Sequence, residues 1–311
     1  MEYIKFQKSV SVGDILDIIK DLSIEYGGDI DRNLLLYGVS NGLYQIDKTL
    51  CFIENIKSIE QIESMSNALI ITNSQFTGEM DGYHLLSVKD ARYTFIKLLS
   101  YFQKDIYLEF FSSFVEIPKH CISPQSDIHP SAIVEEHVVI QEGVQIGAGC
   151  VIKNGTYIDK NTIIRENSTI GCDGIALYKA KNSEVLRFPH FGGVYIGKEV
   201  EIGASCVIVQ GTLASTKIMD NSVIGNLSNI GHGVEIGQKV WLSVGGMIGG
   251  NCKIGEGVTM GLSVSLKDNL TIADGCTIGM GSVVTKSLPN KMTVFGNPAK
   301  AIRPLNVGPK R

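Results

Sequence analysis

The fold is decided by residues 218–283, which read IMDNSV-IGNLSN-IGHGVE-IGQKVW-LSVGGM-IGGNCK-IGEGVT-MGLSVS-LKDNLT-IADGCT-IGMGSV. An aliphatic residue opens every block of six, and the period does not slip once. Neither the 3.6-residue period of a helix nor the two-residue period of a strand produces this spacing. The stretch is therefore an internal repeat, whose period has to be interpreted before any secondary structure is assigned. The aliphatic positions are Ile218, Ile224, Ile230, Ile236, Leu242, Ile248, Ile254, Met260, Leu266, Ile272, Ile278 and Val284.

The same period occupies two earlier parts of the chain. It runs from Ile128 to Ile170 and again from Ile196 to Ile208, and a four-residue step, Ala214–Lys217, leads into the long run. The second position of a hexad is often Gly, and the fifth holds a small or medium residue. Such a repeat predicts a β-helix in which three hexads make one triangular coil and the first residue of each points to the axis.

Together these hexads resemble the left-handed hexapeptide acyltransferases, and the handedness is taken from that resemblance. The expected fold is mainly β, a left-handed parallel β-helix preceded by a small α/β domain. We expect a nucleotide-binding α/β domain over residues 1–120 and a β-helix acyltransferase domain over 121–290 that carries a loop at 176–195. A donor-binding tail over 291–311 would complete the chain.

Composition excludes several classes of protein. The 311 residues are 44% apolar and 19% charged, which predicts a folded protein with a sizeable core. The formal net charge of -4 gives no electrostatic basis for binding nucleic acid or an anionic membrane. We find no apolar signal core at the start and no apolar run near the roughly 20 residues of a membrane span. A cytoplasmic protein without a membrane segment is expected.

The cysteines have no paired or CxxC spacing, which argues against a metal site. Four of the seven fall at the fifth hexad position, where a small apolar residue is expected to be buried in the coil. We predict reduced thiols with a packing role. These four are Cys150, Cys206, Cys252 and Cys276.

Residues 1–120 lack the hexad and predict a small α/β domain. Ser11 with Asp14 forms a capping-box pattern that opens a helix through Leu22. A second, amphipathic helix is predicted over Asp90–Gln103. Short apolar runs between the two helices predict strands at Leu34–Val39, Leu50–Ile53, Ala68–Thr72 and His84–Val88.

The segment TLCFIENIK resembles the uridine-binding segment of the family that N-acylates UDP-3-O-(3-hydroxyacyl)glucosamine in lipid A synthesis. The resemblance implies that Phe52 stacks on the uracil ring and that Asn55 bonds its edge, with Lys57 beside them. An aromatic face and an amide suit that task. The chain departs from the family at Ile56 and Ser58, where Pro and Tyr are usual. The alternative is a core Phe followed by a turn Asn.

A long interruption separates the first two parts of the repeat. Ala176–Tyr195 exceeds the length of an ordinary connection, and loops of this size are usually functional or disordered. The sequence around the break resembles the loop with which the same family interrupts its prism. We interpret it as a wall of the active site that brings His190 to the substrate, with a plain surface excursion as the alternative.

The candidate catalytic residue is His232. It occupies the third position of its hexad, so its side chain should project outward from the prism. The segment Asn226–Gly237 resembles the catalytic segment of the lipid A N-acyltransferases, which implies a general base at His232 and a substrate contact at Asn226. Imidazole is matched to accepting a proton near neutral pH. A solvated surface histidine is the alternative.

The chain departs from that family around the histidine. Gly225 stands where Asp is common, Gly233 follows the His in place of Asn, and Asn269 replaces a second His. The residue that orients His232 must then come from elsewhere, and a neighbouring subunit is one source. Gly250 lies 18 residues, one coil, beyond His232, and its N–H is our candidate for the oxyanion donor. Glycine is also what hexapeptide turns need for their geometry.

The end of the repeat points to the acyl donor. Val294–Arg303 is similar to the ending of hexapeptide acetyltransferases, where it lies against coenzyme A. Lys300 and Arg303 could meet the phosphates of that donor. The lipid A enzyme usually continues into a helical tail that engages acyl carrier protein. The short ending favours an acyl-CoA, with acyl carrier protein as the alternative co-substrate and no bound prosthetic group.

These features predict an N-acyltransferase that moves an acetyl or short hydroxyacyl group from a pantetheine thioester to the amine of a UDP- or dTDP-linked amino sugar. Its product would feed surface polysaccharide or lipopolysaccharide synthesis, and a homotrimer is expected from the resemblance. One alternative is the lipid A N-acyltransferase itself, and another is a non-catalytic β-helical scaffold. A γ-type carbonic anhydrase also uses this prism, but it needs three clustered histidines for zinc.

Overall fold

The computed structural model describes residues 3–27, 30–40, 47–54, 67–73, 83–104, 106–109 and 121–301. They divide into two compact units. The sheet unit contains the described residues up to 109 together with Ile175–Phe191 and Thr212–Ala214. The prism unit contains the described residues from 121 to 174, Gly192–Gly211, and those from 215 to 301. Neither helix in these ranges is long and apolar enough to cross a membrane.

The sheet unit is built on a mixed seven-stranded sheet with two helices. Its strands follow the order β2-β6-β5-β4-β3-β1-β7, in which β3 to β6 are parallel and the outer pairings are antiparallel. The elements in chain order are β1 (Tyr3–Ser11), α1 (Val12–Asp21), β2 (Tyr26–Gly27), β3 (Leu35–Val39), β4 (Thr49–Ile53), β5 (Ala68–Asn73), β6 (Tyr83–Val88), α2 (Ala91–Tyr101) and β7 (Ile106–Glu109).

The predicted elements of the sheet unit are confirmed. α1 begins after the N-cap Ser11, and the reciprocal bonds of the capping box with Asp14 are present. The four predicted strands appear as β3 to β6, and α2 follows Asp90 as its N-cap. The sequence prediction missed β1, in which charged and polar residues such as Lys5 and Gln7 interrupt the apolar pattern. It also missed the short strands β2 and β7 at the sheet edges.

Ile175–Phe191, which interrupts the repeat, carries an antiparallel hairpin of β17 (Leu177–Lys179) and β18 (Val185–Arg187). The hairpin packs on the sheet unit. Phe188 lies 6.2 Å from Phe95 of α2 between ring centroids, and the Lys97 ammonium bonds Glu184 at 2.7 Å. The segment is thus an ordered part of the sheet unit.

The prism unit has three parallel faces joined by tight turns, as the hexad predicts. The first face is β8 (Cys121–Ile122), β11 (Val139–Ile140), β14 (Thr156–Ile158), β19 (Val194–Ile196), β22 (Thr216–Ile218), β25 (Glu235–Ile236), β28 (Lys253–Ile254) and β31 (Thr271–Ile272). The second is β9 (Asp127–Ile128), β12 (Gln145–Ile146), β15 (Ile163–Ile164), β20 (Glu201–Ile202), β23 (Val223–Ile224), β26 (Trp241–Leu242), β29 (Thr259–Met260), β32 (Thr277–Ile278), β34 (Thr293–Phe295) and β35 (Lys300–Ala301). The third is β10 (Ile133–Val134), β13 (Val151–Ile152), β16 (Thr169–Cys172), β21 (Val207–Val209), β24 (Asn229–Ile230), β27 (Met247–Ile248), β30 (Ser265–Leu266) and β33 (Val283–Val284).

The core of the prism is made of the first and fifth residues of the hexads. Ile218, Ile224 and Ile230 are fully buried at first positions, and the four cysteines at fifth positions are fully buried as predicted. Burial raises the pKa of the Cys206 thiol and of most of its counterparts, which keeps them protonated. The thiols act as small apolar packing groups.

The fourth position of the hexad is the turn. Its residues have a positive φ in nearly every coil, as at Asn221 (60°) and Gly233 (64°). This left-handed conformation favours Gly and Asn and costs other residues about 1 kcal/mol or more. Glu199 (54°) and Leu227 (61°) nevertheless adopt it. The ladder between coils imposes this turn whatever residue occupies it.

Glu199→Asn is expected to raise the free energy of unfolding by about 1 kcal/mol, because Asn tolerates the left-handed conformation better than Glu. The matched control is Glu166→Asn, which removes the same charge at an exposed third position and should change stability by less than about 0.5 kcal/mol. Urea denaturation at one protein concentration measures both. Equal effects in the two variants would contradict a conformational cause.

Candidate functional site

His232 lies at the corner of the prism that follows the third face. β24, β27 and β30 pair in parallel and in register, so that Ile230, Ile248 and Leu266 stack along one line. The residues two positions after them, His232, Gly250 and Asp268, therefore form a column along the same corner. Backbone bonds fix this register, since Asn251 N–H donates to His232 O at 2.8 Å and Asn269 N–H to Gly250 O at 2.9 Å.

The imidazole of His232 lies against the backbone of Gly250. A Cβ added to Gly250 would sit 2.6 Å from both Cε1 and Nε2 of the ring and 3.0 Å from Cδ2. No carbon can approach that closely, so this ring position requires glycine in the next coil. The third-position prediction is confirmed for the direction of the side chain, which leaves the prism axis but is half-buried along the column.

Burial lowers the pKa of the His232 imidazole below its ordinary value, and the carboxylate of Asp268 partly opposes that shift. The burial effect is the larger of the two. A lowered pKa leaves the ring neutral at neutral pH, which is the form that accepts a proton. The half-buried imidazole is therefore in the form that can accept a proton.

The backbone amide of Gly250 has the features of a hydrogen-bond donor to an anion. Its nitrogen lies 2.8 Å from the place where a Cβ of Gly231 would be, so the glycine at 231 leaves this amide uncovered. Among the described residues no acceptor bonds it, whereas the matching amide of Ala204 donates to Asn226 Oδ1 at 2.9 Å. An uncovered N–H beside a neutral imidazole can receive a developing oxyanion.

The structure does not bring the other predicted prism residues to His232. Asn226 lies one hexad earlier, at the adjacent corner, where its side-chain oxygen caps the turn at Ala204. Lys300 is exposed in β35, which pairs antiparallel with β34 so that Lys300 lies opposite Phe295. Arg303 lies outside the described residues.

The proposed uridine site maps to the carboxyl edge of the parallel strands in the sheet unit, where open α/β sheets commonly bind ligands. Phe52 is half-buried near the end of β4, and its ring packs on Phe95 at 4.8 Å. The guanidinium of Arg92 lies 5.7 Å from the Phe52 ring and bonds Glu54 at 2.9 Å. Asn55 and Lys57 lie outside the described residues.

Arg92 is also shared with the hairpin. Its guanidinium lies 5.2 Å from the Tyr178 ring, and the Tyr178 hydroxyl donates to Asp90 at 2.8 Å. Burial and that carboxylate raise the pKa of Tyr178 to about 12, so the phenol remains a donor. His190, half-buried, follows the hairpin in this unit. The sequence analysis did not single out Arg92 or Tyr178, which lie far apart along the chain.

Asp268 is the charged neighbour of His232 that the sequence analysis missed. The two residues are separated by two coils, and no motif spans that distance. The signal was present in the repeat itself, because residues 18 and 36 positions after His232 must stack in its column. Reading the third positions as columns would have found it.

Comparisons with known proteins agree with the repeat. Residues 137–172 match the family model described as bacterial transferase hexapeptide (six repeats). This stretch is thus similar to the hexapeptide repeat of that family. The chain is also 45% identical over 69 residues to UDP-3-O-acylglucosamine N-acyltransferase 2 of Legionella pneumophila, which covers 22% of this chain and 20% of the relative. A UDP-3-O-acylglucosamine N-acyltransferase of Pseudoalteromonas translucida is 42% identical over the same shares. The chain thus matches about a fifth of the length of these relatives.

One solved structure to which the chain is similar is the UDP-N-acetylglucosamine acyltransferase of Francisella novicida. It is 24% identical, covers 58% of this chain and 66% of its own, and has a TM-score of 0.49. Perosamine N-acetyltransferase of Caulobacter crescentus, solved with CoA and GDP-perosamine, is 16% identical over 76% of this chain and 84% of its own, with a TM-score of 0.22.

Gly250→Ala is expected to leave the coil folded, because Gly250 is not among the glycines with positive φ and other third positions carry side chains. The added methyl should push the imidazole of His232 into solvent, so that its pKa rises toward the ordinary value of about 6.5. NMR titration of protein labelled at histidine Cε1 measures that pKa, and His232→Gln assigns the signal.

The control for this substitution is Gly27→Ala, where an added Cβ meets no atom within 4 Å. It should leave the His232 titration unchanged. An unaltered His232 pKa in a folded Gly250→Ala protein would contradict the packing of ring on glycine as the cause of burial.

Proposed function

We propose that this protein is an N-acyltransferase that moves an acyl group from a pantetheine thioester to the amine of a nucleotide-linked amino sugar. The observation that carries the proposal is the half-buried His232 imidazole, laid over the uncovered backbone of Gly250 and kept neutral by burial. The hexapeptide match and the names of the relatives given above support acyl transfer to an amino sugar.

In the proposed reaction the sugar amine attacks the thioester carbonyl. His232 takes the proton from the attacking nitrogen, and the Gly250 N–H bonds the oxyanion of the tetrahedral intermediate. Collapse of the intermediate breaks the C–S bond, and the imidazolium returns the proton to the departing thiolate. The N–C bond that has formed is the amide of the product.

The expected donor is an acyl-CoA, acetyl-CoA first, with Lys300 and Arg303 proposed to meet its phosphates. The nucleotide, UDP or dTDP, is assigned to the carboxyl edge of the sheet unit, with Phe52, Asn55, Lys57 and His190 as proposed contacts. Phe52 is partly covered by Arg92, so stacking on a base would require that guanidinium to move.

A second candidate is the N-acylation of UDP-3-O-acylglucosamine from an acyl carrier protein. It is favoured by the names of the relatives that match at 42–45% identity over 69 residues. The acceptor classes overlap, so the donor distinguishes the two candidates. Thiol release from acetyl-CoA with a panel of UDP- and dTDP-linked amino sugars, run beside a 3-hydroxyacyl carrier protein with UDP-3-O-acylglucosamine, makes the choice. If no acceptor is acylated from either donor, both candidates are contradicted and a non-catalytic scaffold is favoured.

His232→Gln should lower kcat by about 10²- to 10⁴-fold, the usual contribution of a positioned general base. The wild-type kcat/KM should rise with pH through a limb below about 6.5, because burial lowers the pKa of the base and only its neutral form reacts. That limb should vanish in the variant. The matched control is His129→Gln, an exposed histidine near the first coils, which should keep full activity. Near-wild-type turnover by folded His232→Gln protein would exclude this residue as the base.

We further propose that the protein is a homotrimer that uses an apolar stripe on the prism, the corner stripe. Val244, Leu262 and Met280 occupy third positions of three successive coils at the corner between the second and third faces, and all are exposed. Trp241 and Met247 flank them on the two faces. A stripe parallel to the prism axis fits the edge of another prism, and contiguous exposed apolar surface of this kind marks interaction sites.

Leu262→Asp is expected to dissociate the trimer, because it places a charge in the middle of the corner stripe. Light scattering should then report the chain mass of 33.8 kDa in place of three times that value. Ile133→Asp, an equally apolar and exposed position in an early coil outside the stripe, should leave the trimer intact. A monomeric wild-type protein would contradict the assembly, and a trimer of Leu262→Asp would contradict the surface.

A further inference from the structure

We propose that Asp268 is the positioning residue for His232: its carboxylate reaches back over the bare backbone of Gly249 and stabilises the imidazolium that forms during acyl transfer. The proposal deepens the proposed function and rests on it for the catalytic role. The placement of the two residues in one column follows from the register of the coils, and their interaction can be measured without an assay of activity.

The register of three coils aligns the two residues. β24, β27 and β30 pair residue for residue, so Asp268 follows His232 by two steps in one column. Coils of a parallel β-helix are spaced by about 4.8 Å, which puts the two Cα atoms about 10 Å apart. The side chains of His and Asp can approach each other across that distance only if the residue between them has no side chain. Gly250 is that residue.

The two side chains lean toward each other across this gap. The His232 ring covers Gly250, with Cε1 and Nε2 at 2.6 Å from an added Cβ. From the other side, Asp268 Oδ1 lies 2.5 Å from the place where a Cβ of Gly249 would be. Two successive glycines thus form an open notch, and a side chain at either position would displace the imidazole or the carboxylate.

Asp268 Oδ1 lies over the second-position glycine of the preceding coil, as the Oδ1 atoms of Asp220 and Asp274 do, but its hydrogen bonding differs from theirs. Asp220 and Asp274 each accept the third-position amide of the preceding coil, from Lys198 and Glu256, both at 2.9 Å. The amide that matches them in the Asp268 turn is that of Gly250, and within the described residues Asp268 does not bond it. Asp268 thus has the position of a turn cap without the hydrogen bond that the other two make within the described residues.

Asp268 is a charged group that acts on the imidazole. In the coil before His232 the column holds Gln210, whose amide is bonded to Asp173 at 2.6 Å. The Asp268 carboxylate raises the pKa of His232 against the larger, lowering effect of burial. The other charged groups on the adjoining strands and turns are Lys217, Glu235, Lys253, Lys267 and Lys286.

This arrangement supplies what the sequence lacks beside the histidine. Gly225, the second residue of the preceding hexad, and Gly233, which follows His232, have no side chain that could orient or charge the ring. A carboxylate near a base favours its protonated form, which is the form present after the amine has lost its proton. Asp268 thus provides, from within the same chain, the charge that orients the ring and stabilises its protonated form.

The test is Asp268→Asn, an isosteric change, with Asp268→Glu as the conservative variant and Asp274→Asn as the matched control. NMR titration of histidine Cε1 should give a His232 pKa that falls in Asp268→Asn, returns toward wild type in Asp268→Glu, and is unchanged in Asp274→Asn. The acid limb of kcat/KM should shift to lower pH in Asp268→Asn, and the plateau should fall on the order of tenfold.

An unchanged His232 pKa in folded Asp268→Asn protein would overturn the pairing, even if His232 is the base. If the pKa falls as expected but His232→Gln retains full turnover, the pairing stands and the proposed function fails. A loss of activity in Asp268→Asn equal to that in Asp274→Asn, with no change in the pH limb, would reduce Asp268 to a turn residue.

Discussion

The in-register backbone ladder between coils is the interaction on which the prism depends. Each strand bonds the strand one coil away, and each turn adopts the left-handed conformation that returns the chain to the next face. Because every coil repeats its neighbour, each hexad position becomes a column with one environment. First and fifth positions are core, fourth positions are turns, and third positions are a surface whose neighbours are set by the ladder.

That constraint explains why most of the fold could be predicted from sequence. A strict six-residue period has few structural solutions, so the faces, the core residues and the buried cysteines followed from it. The capping box at Ser11 and the apolar runs of β3 to β6 were equally local signals. β1 was missed because Lys5 and Gln7 break its alternation, and tertiary pairing with β3 and β7 overrides that pattern.

Less of the site could be predicted, and for a different reason. The imidazole of His232 was found because its residue type and third position are both local properties. Its contact with Gly250 and its place in one column with Asp268 depend on register between coils. Arg92 meets Phe52 and Tyr178 only in the folded sheet unit. The turns were hidden as well, since Leu227 and Glu199 give no sign of a left-handed φ. A candidate residue can be identified from its own type and hexad position. Contacts between coils can be predicted only after the residues 18 positions apart have been aligned as columns.

The position of the notch along the prism determines whether local opening of the solenoid disturbs it. In a solenoid each coil is held only by its neighbours, so opening begins at the ends and costs little more than one interface at a time. The coils of Ile230, Ile248 and Leu266 have paired strands on both sides, up to β33 beyond them. Fraying of a terminal coil therefore leaves the imidazole, the glycines and the carboxylate in register. The site is therefore separated from the end coils, which open most readily.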